Sequence, residues 1–188
     1  KEGHSVKTGD VLFCDKYNDA IKFVTPASGK VLSIVRGAKR RILEVIIQTD
    51  QEQEFSSKES FDIQALSGEE IKNIMLKGGL WPFVKQRPLD VIANPNNNPK
   101  SIFISAFDSS PLAPDFDFSM QGQTEDFQTG VNVLAKLTQG NVNLTLSSNT
   151  PRTSLFNNIN GVTKHKIQGK HPAGNVGTQI HHIDPINK

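Results

Sequence analysis

Two stretches of the sequence carry residue types that could bind a ring or a polar headgroup. The first is the glycine turn Gly78-Gly79, which is followed by Trp81, Phe83 and Arg87. Glycine lets a backbone turn tightly and approach a ligand closely, and two aromatic rings beside a guanidinium group could line an apolar pocket with a cationic rim. A helix that ends at the glycine pair, with the rings packed in a core, would leave the same pattern. Both interpretations stay open.

The second stretch begins at Asp108, which follows the short apolar run Ile102-Phe103-Ile104. Ligands of open α/β sheets bind beyond the carboxyl ends of the strands. Asp108 is therefore a candidate for a polar site, and a turn or N-cap role is the alternative. Further along, the segment His171–Pro185 contains Gly174, where a glycine predicts a turn with positive φ near the same crevice.

Metal binding is not predicted, although His171, His181, His182 and Asp184 have suitable chemistry. On a strand, the adjacent histidines 181 and 182 would point to opposite faces, and the spacing matches no zinc pattern. Cys14 is the one cysteine, so a disulfide within these 188 residues and a cysteine-ligated iron–sulfur cluster are both excluded. Its apolar neighbours predict that Cys14 is a small buried residue rather than a nucleophile.

The elements that would position these residues fall into two domains. Residues 1–50 show short runs of alternating apolar residues with turn signals between them, which predicts a small β domain. Residues 51–66 are polar and are expected to connect the domains, with a possible short strand at Phe61 and Ile63. Residues 67–188 predict a Rossmann-like α/β domain, because helical and strand patterns alternate there.

Within the second domain, Ser67 and Glu70 form a capping box that begins a helix ending at the glycine pair. A second helix is expected from Thr124 to Gly140. Its predicted buried face consists of Phe127, Val131, Leu134 and Leu137. Residues 111–118 are expected to be an aromatic and acidic loop. The predicted strands are 102–104, 142–146 and 162–169, the first of them buried on both faces of a parallel sheet.

Charge and hydropathy limit the kinds of partner that the chain could bind and whether it could span a membrane. The net charge of +2 is too small to indicate a nucleic-acid partner. The basic run from Arg36 to Arg41 predicts either a solvated hairpin or a docking surface for an acidic partner or lipid headgroups. No run approaches the roughly 18 apolar residues that a membrane-spanning helix needs.

Part of the β domain resembles the biotinyl and lipoyl carrier fold, a barrel-sandwich hybrid. The resemblance rests on Gly9-Asp10-Val11-Leu12 and on Pro26 to Val31. Lys16 and Lys22 lie near the position of the modified lysine in such carriers, but neither sits in the usual hairpin motif. A packing module is therefore favoured, and a carrier-like adaptor that accepts lipoate or biotin remains an alternative.

The sequence as a whole resembles the NqrA family of subunits of the sodium-translocating NADH:quinone oxidoreductase, which is similar to the flavin-bearing NADH subunits of complex I and Rnf. The segments that carry this resemblance are Gly9 to Ile47, Gly79 to Pro88, Lys100 to Ala113 and His171 to Pro185. The family resemblance implies that the chain is a piece of a longer α+β subunit, with a barrel-sandwich hybrid domain followed by a Rossmann-like domain.

The resemblance also implies a function. The complex oxidises NADH, reduces ubiquinone and expels sodium ions, with FAD, FMN, riboflavin and iron centres held by other subunits. An NqrA chain would lie on the cytoplasmic face of the bacterial inner membrane against the membrane-embedded, quinone-handling subunit NqrB, hold no cofactor, contribute to a quinone site and be inactive alone. The candidate quinone residues are Gly78, Gly79, Trp81, Phe83, Arg87, Asp108, His171 and Gly174. The alternative is a flavin-binding electron-transfer subunit, against which the bulk of Trp81 in the glycine turn argues.

Overall fold

Short antiparallel strands form the first part of the chain in a computed structural model, which describes residues 1–56 and 60–186. The strands are β1 (Ser5–Val6), β2 (Val11–Cys14), β3 (Lys22–Val24), β4 (Gly29–Arg36) and β5 (Ile42–Thr49). One sheet has the order β1-β4-β5, and β2 pairs with β3 in a second sheet. The predicted β domain is therefore present. Residues 57–59 of the predicted connector and residues 187–188 lie outside the described residues.

The end of β5 and the residues after it pack against the turn before β4. Gly29 lies so close to this segment that a Cβ there would be 2.1 Å from the carbonyl oxygen of Gln48. The buried Ser28 donates its N–H to Oε1 of Gln53 (2.7 Å) and accepts at Oγ from the N–H of Glu54 (2.9 Å). The first residues of the predicted connector are thus fixed to the β domain by hydrogen bonds.

The expected burial of Cys14 is wrong, because the thiol is exposed. Side chains alternate between the faces of a strand, and in the β2–β3 pair Phe13 and Phe23 stack with ring centroids 4.8 Å apart. Cys14 follows Phe13 and so points the other way. Its Sγ lies 3.6 Å from Nζ of Lys22.

Helix α1 (Gly68–Lys77) begins at the predicted capping box. Oγ of Ser67 accepts from the N–H of Glu70 (3.3 Å), and the Glu70 carboxylate accepts from the N–H of Ser67 (2.8 Å). The Ser67 hydroxyl also donates to the Glu70 carboxylate (2.6 Å), and this bond, together with the one from the Ser67 N–H, holds the pKa of Glu70 below its usual range. The short strand suggested at Phe61 and Ile63 is wrong, because this segment has neither strand geometry nor a sheet partner among the described residues.

The later elements form a parallel sheet with helices. They are β6 (Lys85–Gln86), β7 (Val91–Ile92), β8 (Ile102–Ser105), α2 (Phe116–Ser119), α3 (Thr124–Ala135), β9 (Val142–Ser147), β10 (Thr163–Ile167) and α4 (Val176–Ile183). β6 pairs with β7, and the main sheet has the order β10-β9-β8 with all three strands parallel. β8 is an edge strand, so it is half-buried rather than buried on both faces as expected.

The core of this α/β part lies between α3, β9 and the chain that follows β9. Its fully packed members are Ala106, Val131, Leu144, Leu146, Phe156 and Ile159. The rings of Phe127 and Phe156 meet edge to face with centroids 5.1 Å apart, and such pairs add to the energy of burial.

Two boundaries differ from expectation. α3 ends at Ala135, so the helix stops before Leu137 and does not reach Gly140. Gly140 is required for a different reason, because a Cβ there would overlap the carbonyl oxygen of Lys100. The predicted loop 111–118 contains the start of α2, whose N-cap Asp115 accepts from two backbone N–H groups. In the part of the chain that the structure describes, no helix has the length and apolarity to cross a bilayer.

The chain divides into two compact units. The first comprises Lys1–Asp62 and Lys72–Lys85, and the second comprises Ile63–Ile71 and Gln86–Lys188. α1 contributes to both units. The sequence-based boundaries at residues 50 and 67 stay predictions.

Candidate functional site

The carboxyl end of β8 leads into a polar turn built around Asp108. Oδ1 of Asp108 accepts from the N–H (2.8 Å) and the hydroxyl (2.7 Å) of Ser110. These bonds hold the pKa of Asp108 below its usual range, and the charge of His171 lowers it further. Asp108 is therefore an exposed carboxylate at neutral pH, and it has the turn role that the sequence left as an alternative.

The segment that begins at His171 packs directly against this turn. The N–H of Gly174 donates to Oγ of Ser109 (2.8 Å), and Nδ1 of His171 lies 3.2 Å from the same oxygen. A Cβ on Gly174 would lie 2.3 Å from the backbone nitrogen of Ser109 and 2.9 Å from Cα of Asp108. Three predicted site residues, Asp108, His171 and Gly174, are thus brought together.

The reason for Gly174 differs from the one expected. Its φ is not positive, and neither is that of Gly177. The absence of a side chain at Gly174 is required by the close approach of two backbone segments, not by a left-handed turn. Sequence reasoning identified the position but gave the wrong physical cause, because a steric requirement depends on a partner that lies 65 residues away.

Helix α4 holds the other side of this segment in place. Its N-cap Asn175 accepts from the N–H of Gly177 (2.8 Å). His181 and His182 do not lie on a strand, the case considered from the sequence, but in the last turn of α4, with ring centroids 5.3 Å apart. Asp184 bonds to Lys100 and Ser101 instead of joining these histidines. Within residues 1–56 and 60–186, no three potential metal ligands are grouped.

Gln179 is a supporting residue that the sequence analysis missed. Its side chain is 1% exposed. Oε1 accepts from Oγ1 of Thr145 (2.6 Å), and Nε2 donates to Oγ of Ser105 (3.0 Å) and to the Ala173 carbonyl (3.3 Å). These bonds join α4, β8 and β9 beneath the polar turn. A glutamine within an apolar helical pattern was the only sequence signal available.

Arg87 reaches the same region from a different part of the chain. Its Nη2 lies 3.4 Å from Asp90, and Nη1 would be 3.6 Å from a Cβ on Gly177. Its Nε is buried and finds no hydrogen-bond partner among the described residues. The guanidinium therefore lies near the start of α4, which follows Gly174 and the segment that contacts Asp108.

The other four candidate residues lie in the first unit, at the glycine turn: Gly78, Gly79, Trp81 and Phe83. Gly79 has φ +71°, and a Cβ on it would lie 2.5 Å from Cγ1 of Val24 in β3. Trp81 is 5% exposed, whereas Phe83 is 81% exposed. Gly78 ends the helix with an N–H donated to the Ile74 carbonyl (2.8 Å). The turn is thus packed against the β strands, and its role in quinone binding stays a prediction.

Chemically, the polar turn offers a carboxylate, a hydroxyl and an imidazole at the carboxyl end of β8, and the Arg87 guanidinium lies nearby at the start of α4. Ser109 and His171 are close enough for a hydrogen bond, but Oγ of Ser109 already accepts from Gly174, and Oδ1 of Asp108 is occupied by Ser110. The arrangement suits hydrogen bonding to a polar headgroup better than nucleophilic attack.

Two cavities of the second unit lie elsewhere. One of about 490 Å³ is lined by residues of 117–124 and 151–155, and an apolar groove of about 300 Å³ runs along α3. Neither is lined by a predicted quinone residue. The candidate site is therefore defined by its converging polar groups and is separate from these two cavities.

By its fold, the protein belongs to the class in which a small barrel-sandwich hybrid domain precedes a parallel α/β domain. Residues 1–50 match a family model described as the NqrA N-terminal barrel-sandwich hybrid domain, and residues 66–188 match one described as the NqrA second alpha/beta domain. The chain belongs to the NqrA family. This finding confirms both the resemblance stated from the sequence and the predicted fold class.

The relatives agree with the family models. The chain is 40% identical over its whole length to a protein of Actinobacillus succinogenes, and 36% identical over 99% of its length to one of Alcanivorax borkumensis. A Yersinia pestis protein is 36% identical over the whole chain. All three relatives are named as the A subunit of Na(+)-translocating NADH-quinone reductase. The chain spans 42% of the length of each.

Proposed function

We propose that this chain is part of the NqrA subunit of a sodium-translocating NADH:quinone oxidoreductase and serves as a peripheral component of that complex. The observation that carries the proposal is the match of two family models, in order, to residues 1–50 and 66–188. Relatives with that name align with 99–100% of the chain. In this proposal the reaction belongs to the assembled complex, and the chain alone is inactive.

The proposed role is to organise the complex from the cytoplasmic face of the bacterial inner membrane, in contact with the membrane-embedded subunit NqrB. No redox cofactor is held by this chain in the proposal. The packing of the glycine turn supports that part: Val24 fills the space beside Gly79, and Trp81 is buried where a flavin ring would need room. No specific observation favours the alternative of a flavin-binding subunit.

A contribution to quinone binding is proposed for the polar turn. A quinone presents two carbonyl oxygens, which accept hydrogen bonds from hydroxyl, imidazole and guanidinium groups. Ser109 and His171 supply such donors close to the Asp108 carboxylate, at the edge where ligands of α/β sheets bind. The Arg87 guanidinium lies near Gly177 at the start of α4, the helix that follows this segment.

The first test is to tag the full-length protein in its native cells, solubilise the membranes gently and identify copurifying proteins by mass spectrometry. Recovery of the other subunits of the sodium pump, together with a tagged subunit that shows no flavin absorbance after separation, is expected. Recovery of no membrane partner would contradict the proposal. A flavin band in the separated subunit would favour the flavin-binding alternative.

The quinone contribution needs a separate test in the assembled complex. A photoreactive ubiquinone analogue is expected to label peptides that contain residues 105–110 or 171–177, and excess ubiquinone should suppress the labelling. The His171→Ala variant should lower that labelling, whereas the matched His4→Ala variant, which changes an exposed histidine of the other unit, should not. Labelling confined to other subunits would refute this part alone.

A further inference from the structure

The hairpin formed by β4 and β5 ends in a concentrated positive charge. Arg36, Lys39, Arg40 and Arg41, here called the basic tip, lie within six residues and are all exposed. No acidic residue occurs between positions 36 and 43. Lys39 and Arg40 both have positive φ (55° and 61°), so the chain makes a tight turn that brings the four cations together.

The charge of the basic tip contrasts with the remainder of the chain. Of the 21 Lys and Arg residues, the 17 outside the basic tip are outnumbered by the 19 Asp and Glu residues, so the remainder is net negative. Among the described ion pairs, none involves a residue of the basic tip. Nη1 of Arg36 donates to the Arg40 carbonyl (3.0 Å), which braces the turn without neutralising its charge.

Acidic groups near the hairpin lie further along the strands. Glu44 is exposed on β5 and is paired with Val35 of β4 in the sheet. Oε1 of Glu2 accepts from the N–H of Ile34 (2.8 Å). Both carboxylates lie outside the turn at residues 36–41, so the turn itself presents cations alone, and Glu44 shares a face of the hairpin with its partner Val35.

Exposed aliphatic side chains flank the basic tip. They are Leu32, Val35, Leu43 and Ile46. Leu43 is 50% exposed and lies at the turn, since a Cβ on Gly37 would be 3.1 Å from its Cδ1. β1 pairs only with Gly29 and Lys30 at the base of β4, so the described strands leave the outer half of the hairpin as a two-stranded ribbon.

We propose that the basic tip docks on anionic lipid headgroups, with the neighbouring aliphatic side chains entering the interface between headgroups and acyl chains. Lysine and arginine beside exposed aliphatic groups form the combination by which surface segments bind anionic membranes. An acidic protein surface would satisfy the cations but would leave the aliphatic groups unexplained. The proposal deepens the proposed function of a peripheral subunit, and rests on it for its biological setting.

The test measures cosedimentation of the purified full-length protein with vesicles, in the absence of other subunits. Vesicles of phosphatidylcholine alone are compared with vesicles that also contain phosphatidylglycerol. We expect binding to the anionic vesicles only, and a decline as salt is raised, because exposed charges are screened. Each basic residue near an anionic surface contributes roughly fivefold to binding.

The variant that isolates the basic tip is Lys39→Asn with Arg40→Asn. Asparagine accepts a positive φ better than most residues, so the variant removes two charges without straining the turn. Affinity for anionic vesicles should fall about 25-fold. The matched control is Arg152→Asn with Lys170→Asn, which removes one exposed Arg and one exposed Lys from other turns and should leave affinity within about twofold of the unchanged protein.

The outcomes separate this inference from the proposed function. Equal loss of binding in both double variants, equal binding to neutral and anionic vesicles, or no vesicle binding at all would overturn the lipid proposal. The last result, combined with a Lys39→Asn, Arg40→Asn protein that no longer copurifies with the membrane subunits, would assign the basic tip to a protein partner. Whether the unchanged chain assembles into a sodium pump is decided separately, by copurification of the protein without substitutions.

Discussion

Replacement of Gly174 by alanine tests the packing on which the candidate site depends. The new Cβ would lie 2.3 Å from the backbone nitrogen of Ser109, about 1.1 Å short of the 3.4 Å at which ordinary contacts begin. Because the obstacle is backbone, no rotamer change relieves it. Overpacking of this kind costs about 1–3 kcal/mol, and loss of the Gly174–Ser109 hydrogen bond costs about 1 kcal/mol more. We expect the free energy of unfolding to fall by about 2–4 kcal/mol.

The assay is urea denaturation followed by far-ultraviolet circular dichroism, with hydrogen–deuterium exchange of the β9 amides to report on the α/β unit itself. The matched control is Gly130→Ala in α3, where a new Cβ would have no neighbour within 4 Å. That change should stabilise the protein by up to about 1 kcal/mol, because alanine is the better helix former. If Gly174→Ala and Gly130→Ala have the same effect, the two backbone segments do not approach as described.

Two further predictions concern the polar network around the sheet. Gln179→Leu removes the 2.6 Å acceptor of the buried Thr145 hydroxyl, which keeps only the Ile104 carbonyl at 3.2 Å, and it also removes the donor to Ser105 and Ala173. The free energy of unfolding should therefore fall by about 1–3 kcal/mol in urea denaturation, and an unchanged midpoint would show that this network adds no net stability. Hydrogen bonds from Lys100 and Ser101 and the Lys100 charge hold the pKa of Asp184 below its usual range. This group therefore stabilises the fold above its unfolded pKa of about 3.9 and loses that contribution as pH falls through the lower folded pKa. Thermal melts should show Asp184→Asn less stable than the unchanged protein at pH 7, with the difference closing in acid, and a difference independent of pH would contradict this reasoning.

Local signals in the sequence were sufficient for much of the fold. The capping box at Ser67 and Glu70 begins α1, and the apolar run at 142–146 is a strand, because each pattern acts over a few neighbouring residues. At one failure, an unrecognised local cap and a distant contact together decided the structure. The strand geometry assumed for His181 and His182 gave way to α4, whose capping at Asn175 and packing through Gln179 were not recognised.

The candidate site was predictable as a set of segments but not as a geometry. Asp108 was placed at the end of a strand from the pattern of apolar residues before it, and that placement is confirmed. That His171 and Gly174 contact the same turn follows from backbone segments separated by more than 60 residues. Such a contact leaves no local periodicity, so composition and spacing alone do not reveal it.

Gly79 and Gly174 show how a local backbone requirement differs from a distant packing contact. Gly79 has φ +71° and also lacks room for a Cβ beside Val24, so the turn and the packing impose the same residue. Gly174 has no positive φ, and only the approach of Ser109 and Asp108 excludes a side chain there. In both positions packing accounts for the glycine without a ligand. Neither glycine is therefore evidence of a bound ligand. The proposed contribution to quinone binding rests instead on the side chains of Asp108, Ser109 and His171, which meet at one turn and of which two face solvent.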